Sequence, residues 1–121
     1  MVVGTMSVPD ETELLDFFES EPVDVCPDDG FWCYEVKDTQ GLLLRFSFNT
    51  IEGSAQTVVI VNGVTVSSVC HEGATSMRLS STGDKRLLLV EFKEPTHQTT
   101  LKLSWQGGVS CIWSSLRTIN L

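Results

Sequence analysis

From Phe31 onward, apolar residues fall at nearly every second position between short turn signals, and no other feature of the chain restricts its fold as strongly. An alternation of period two sets one side of each segment against a core and the other toward water, which is the pattern of strands rather than helices. Strands are expected over 31–37, 42–49, 55–61, 64–71, 76–80, 85–92, 99–105 and 109–116. Asp38-Thr39-Gln40-Gly41, Asn62-Gly63, Thr82-Gly83-Asp84 and Gln106-Gly107-Gly108 read as the turns between them. Asn62-Gly63 is the strongest hairpin signal, because both residues tolerate the positive φ of a type I′ turn. Segment 85–92 has a nearly continuous apolar centre, as expected of a strand covered on both faces. Joined by short turns in meander order, these segments predict a mainly β fold, an antiparallel β-sandwich or partly open barrel of seven to eight strands.

The first 30 residues differ in kind. Leu14, Leu15, Phe17 and Phe18 recur at helical spacing and predict one short N-terminal helix over about 10–19 with a single apolar face. Asp10-Glu11-Thr12-Glu13 carries the cap-then-acid pattern of a helix start, and Ser7-Val8-Pro9-Asp10 offers an earlier one. Pro22 and Pro27, followed by Asp28-Asp29-Gly30, end the helix in a loop. So short a helix is not stable alone in water and must dock on the sheet or on the open end of the barrel. The expected organisation is one domain, 1–121, with an acidic helix and loop over about 7–30 and an antiparallel β region over about 31–121.

The net charge of −8 is placed unevenly. Asp10, Glu11, Glu13, Asp16, Glu19, Glu21, Asp24, Asp28 and Asp29 precede the first basic residue, Lys37, and the seven acids that remain face eight bases. One segment therefore carries the negative field; it repels nucleic acid and anionic lipid and attracts a basic surface. Apolar runs such as 58–61 and 87–90 are too short to cross a bilayer, so no membrane association is expected. Residues 1–6 lack the basic start and sustained apolar stretch of a secretion signal, which makes the expected location cytoplasmic.

Chemistry-bearing residues are sparse. His71 and His97 sit in no G-x-S-x-G or H-E-x-x-H context, and the chain reads as a binding protein rather than an enzyme. Cys26, Cys33, Cys70 and Cys111 lack zinc-site spacing, and Asp24, Asp28 and Asp29 match a calcium loop only loosely, so neither metal nor cofactor is expected. Cys33, Cys70 and Cys111 fall in strands, as small buried hydrophobes; Cys26, in a loop, is the thiol open to reaction. Trp32, Trp105 and Trp113 share strand faces with core residues.

Two functional readings follow. In the first, Asp10, Glu13, Asp16, Glu19, Asp24, Asp28 and Asp29 steer a basic protein toward the chain, and Phe31 or Trp32 anchors it. In the second, a small β-sandwich module stacks a carbohydrate or other small ligand on Trp105 or Trp113.

Taken together, the helix Asp10–Glu19, the Asp28-Asp29-Gly30-Phe31-Trp32-Cys33-Tyr34-Glu35-Val36 stretch that leads into a hairpin, the small size and the acidic surplus resemble the bacterial immunity proteins of contact-dependent growth inhibition or polymorphic toxin systems. That resemblance lies in the style of the whole chain, and no functional residue carries over by motif. It implies a non-catalytic inhibitor that binds a basic toxin domain, a nuclease, and occludes its active site with an acidic mimic of the substrate. A monomer is expected, or a weak homodimer through an edge strand such as 109–116.

Overall fold

The computed structural model describes residues 2–3 and 6–117. Residues 1, 4–5 and 118–121 of the expected 1–121 domain, and with them part of the 1–6 segment read above, lie outside the described residues. The chain runs β1 (Val2–Val3), β2 (Met6–Ser7), α1 (Glu11–Phe18), β3 (Asp24–Cys26), a 3-10 turn (Pro27–Asp29), β4 (Phe31–Lys37), β5 (Leu43–Asn49), β6 (Ser54–Val61), β7 (Val64–Glu72), β8 (Ala74–Thr82), β9 (Lys85–Lys93), β10 (His97–Ser104) and β11 (Ser110–Arg117). The strands form two sheets, β3-β4-β5-β6-β7 and β1-β2-β8-β9-β10-β11, neither of which closes on itself. Every expected strand is present, and the fold is a sandwich rather than a barrel. Eleven strands among the described residues replace the seven to eight expected, because three pieces of two or three residues, β1, β2 and β3, are too short to show a period.

Within each sheet the order is a meander of antiparallel neighbours. The exception is the single parallel pairing of Ser7 in β2 with Ser76 in β8. Alternation sets the core: Tyr34 and Val36, Leu44, Phe46 and Phe48 from one sheet meet Leu88, Val90, Phe92, Leu101 and Leu103 from the other, all buried. Burying a residue of this size contributes roughly 1.5–3 kcal/mol. On the outer face of β9, Leu87 and Leu89 are half-buried, so that strand is covered unequally.

Two ends of the sandwich are closed differently. At the β7–β11 side, Trp113 donates its indole N–H to Thr57 Oγ1 at 3.0 Å and packs against His71 and Phe92. At the β4 side the gap between the sheets is filled by α1, whose Leu14, Phe17 and Phe18 are buried. Phe18 stacks on Tyr34 with ring centroids 4.4 Å apart. Trp105 at the end of β10 donates its indole N–H to the Phe17 carbonyl at 3.0 Å. Leu15, expected on the apolar face, is instead 40% exposed, since one residue past Leu14 it is turned about 100° away from the buried stripe.

Turn chemistry matches its residues. Asn62 and Gly63 both hold positive φ, 50° and 76°, as a type I′ turn requires. Asp38 accepts from the backbone N–H groups of Gln40 and Leu42 in its own turn and of Val109 at 3.1 Å, tying the β4–β5 turn to the β10–β11 turn. Gly73, at φ 83°, is the corner where the chain leaves one sheet for the other, and a Cβ there would lie 3.0 Å from the Lys93 carbonyl oxygen.

Two consequences are measurable. Gly73→Ala should cost at least ~1–2 kcal/mol in urea unfolding from backbone conformation alone. Gly83→Ala, also at positive φ but facing open space, should cost less because no carbonyl has to give way. The Asp38 carboxyl is held below the usual carboxylate range, first by the Val109 N–H and then by those of its own turn. Its stabilisation is therefore complete above the unfolded value of about 3.9 and fades as pH falls through the lower folded value. Acid titration of Asp38→Asn should show a shallower loss of stability below about pH 4 than wild type.

Candidate protein-binding surface

The acids of residues 10–29 gather along the β4 side of the sandwich, but on three different aspects of it. Asp10 and Glu13 form a reciprocal cap: Glu13 N–H donates to Asp10 Oδ1 at 2.8 Å and Asp10 N–H to Glu13 Oε1 at 3.3 Å. Both remain exposed and charged, and both complement the positive end of the helix. Asp16 faces the other sheet, where Arg86 donates to its carboxylate at 2.6 Å and to its carbonyl at 3.2 Å while lying over the Phe17 ring. Glu19 ends the helix in the left-handed region, φ 56°, and accepts from Gln106 at 3.1 Å.

A second aspect is formed by β3 and the 3-10 turn. Asp24 lies across from Cys33 in the β3–β4 ladder. Asp28, Asp29 and Phe31 line a shallow depression with Ile51 and Glu52, and Ile51 is 49% exposed. The Cys26 thiol donates to Asp29 Oδ2 at 3.1 Å, and this hydrogen bond raises the thiol's pKa. That bond favours the thiol over the more reactive thiolate, and Cys26 ends β3 instead of lying in the expected loop. Cys70, expected buried, is exposed because β7 is the edge of its sheet, while Cys33 is buried and Cys111 half-buried.

The third aspect is a groove between α1 and the β3–β4 edge, lined by Glu11, Leu15, Glu21, Val25, Trp32 and Tyr34. Trp32 stacks on Phe48 at 5.7 Å and is half-buried. Phe31 and Trp32, adjacent in β4, point to opposite faces of the sheet, so the two expected anchors belong to different aspects. Glu11, Glu21, Leu15 and Val25 were not among the expected contact residues. The position of Leu15 off the buried stripe and the pairing of Val25 with Trp32 are the signals that locate them. Trp105 and Trp113 are half-buried and give their indole N–H groups to Phe17 and Thr57, so neither presents a free stacking platform. Among the described residues no group of three or more His, Cys, Asp or Glu is arranged to hold a metal ion.

No protein-family model matches the chain, and no curated protein matches its sequence. A solved complex contains the same fold. It is the contact-dependent growth inhibition toxin - immunity protein complex from Klebsiella pneumoniae 342. One of its chains superposes with a TM-score of 0.88 at 25% identity, over 94% of this chain and 100% of that one. The similarity thus takes in nearly the whole chain, not a shared sheet alone.

The Asp16–Arg86 pair defines what the acids do for the fold. Asp16 is largely solvated, its side chain 79% exposed, so Asp16→Asn should cost less than about 1 kcal/mol. Arg86→Ala should cost more, because that side chain also covers Phe17 and bonds a carbonyl in the last turn of α1. Chemical denaturation of the two variants checks the order.

Proposed function

We propose that this chain is an immunity-type inhibitor, which holds a toxin domain in a non-covalent complex, covers its active site and performs no chemistry. The observation that carries the reading is the full-length structural likeness to a chain of a toxin and immunity protein complex. Of the two components of such a complex, the inhibitor side is supported by where the charge lies. Nine acids with no base among them occupy residues 10–29, and they border exposed Leu15, Val25 and Ile51. Apolar side chains bordered by acids, Leu15 and Val25 on one aspect and Ile51 on another, suit a protein partner with a basic, substrate-binding face, and a nuclease has such a face. His71 and His97 have structural contacts instead of a shared cleft: His71 stacks on Trp113 with Glu94 at 3.8 Å, and His97 bonds Thr96. Among the described residues no helix is long and apolar enough to cross a membrane. The four cysteines are free thiols, as suits action in the reducing cytoplasm.

Co-expression with a toxin domain of the contact-dependent growth inhibition type, taken from the same genome, tests the reading. The two should purify together and the toxin should be inactive until they are separated; a toxin that stays fully active in excess of the chain would refute it. Reversing Asp24, Asp28 and Asp29 to Lys should slow association by about tenfold or more at low ionic strength, and the difference should shrink as salt rises. Stopped-flow mixing measures both.

A further inference from the structure

The groove between α1 and the β3–β4 edge has a chemistry that the rest of the acidic surface lacks. Apolar Leu15, Val25 and Trp32 line it together with Tyr34 and the acids Glu11 and Glu21. Its volume is about 280 Å³. That falls just below the roughly 300–1,000 Å³ that receives drug-sized ligands, and it matches one extended side chain better than a whole small molecule.

Tyr34 is 2% exposed, its ring packed on Phe18 and Phe48. Its hydroxyl makes no hydrogen bond with any described residue. The hydroxyl is the accessible end of an otherwise buried side chain, since it is not among the buried unpartnered atoms, and it is open to a partner that enters the groove. Burial first, and then the nearby carboxylates of Glu11 and Glu21, push the phenol up to about 12. Neither carboxylate has an ion-pair partner among the described residues.

We infer that the groove is a socket for a single arginine side chain of the bound protein, with the guanidinium between Glu11 and Glu21, its plane against Trp32 and one N–H donated to the Tyr34 hydroxyl. Charge complementarity selects a cation, the apolar walls receive the aliphatic stem, and five fixed donors on a flat group serve two carboxylates and a phenol better than an ammonium does. Low-dielectric walls strengthen each of those contacts relative to water. The inference rests on the reading of the chain as the binder of a basic protein, and it names the contact that anchors that partner.

Tyr34 is the chain's sole tyrosine, so an isotope label on tyrosine rings reports on this groove alone. Titrating the isolated chain with N-acetyl-arginine methylamide should shift that signal saturably, the lysine counterpart more weakly, and the uncharged citrulline counterpart not at all. The double variant Glu11→Gln/Glu21→Gln leaves the reciprocal cap of Asp10 and Glu13 in place and should abolish the shift. The same variant should bind the cognate toxin at least about tenfold more weakly than wild type. A signal that does not move, that moves equally with citrulline, or that persists in the double variant overturns the socket, as does toxin binding unaffected by the double substitution. Failure of the wild-type chain to bind the toxin at all overturns the inhibitor reading instead, a separate result from the titration.

Discussion

A helix of eight residues fills the gap between the two sheets of this protein at one side. Alone it would not persist in water, since so short a helix cannot repay its own nucleation. What fixes it is a stack of rings: Phe18 against Tyr34 and Phe46, Phe17 edge-on to Phe18 and covered by Arg86. The Trp105 indole closes the arrangement from the opposite sheet by bonding the Phe17 carbonyl. The acidic edge exists because of this docking. Without Phe17 and Phe18 in the gap, Glu11 and Leu15 would have no fixed relation to β3, and the groove over Tyr34 would have a single wall.

Much of this architecture was legible in the chain because its period is regular. Each of the eight alternating segments is a strand in the structure, and the capping box at Asp10 and Glu13 starts the helix where its pattern indicates. The illegible parts are those where no period can develop or where distant segments decide. β3 exists through pairing with β4, β2 through β8, and β1 through β2, rather than through their own residues. The crossing from one sheet to the other at Gly73 is equally silent locally: no turn is expected between the strand segments 64–71 and 76–80, and the Lys93 carbonyl packed beside Gly73 makes the corner. A local signal can announce that the chain bends; where the next strand pairs is settled by surfaces still to come.

The acidic segment illustrates the same division. Its charge was plain from composition, yet charge along a chain is not charge on a surface. β4 alternates, so Phe31 and Trp32 part company; α1 turns, so Glu13 and Asp16 look toward β9 while Glu11 and Leu15 look toward β3. The 3-10 turn then carries Asp28 and Asp29 round to the outer face of β4 and β5. Adjacent residues are thereby dealt to separate aspects, and residues ten apart, Glu11 and Glu21, are brought to one groove.

An acidic edge that also builds the fold raises the question of whether any field is left for a partner. The internal contacts differ in what they do to charge. The Asp10–Glu13 cap and the bonds to Gln106 and to the Cys26 thiol engage carboxylates with neutral donors, which bring no opposing charge. Among the described residues, Asp16 alone of the nine meets a cation, Arg86, and most of that pair lies open to water. Neutral hydrogen bonds fix the positions of several carboxylates without cancelling their charge, so the edge is both ordered and strongly negative. Order matters as much as sign here: a carboxylate already held in place loses less freedom when a cation arrives, and an immunity-type complex formed on such an edge would owe part of its strength to that preorganisation.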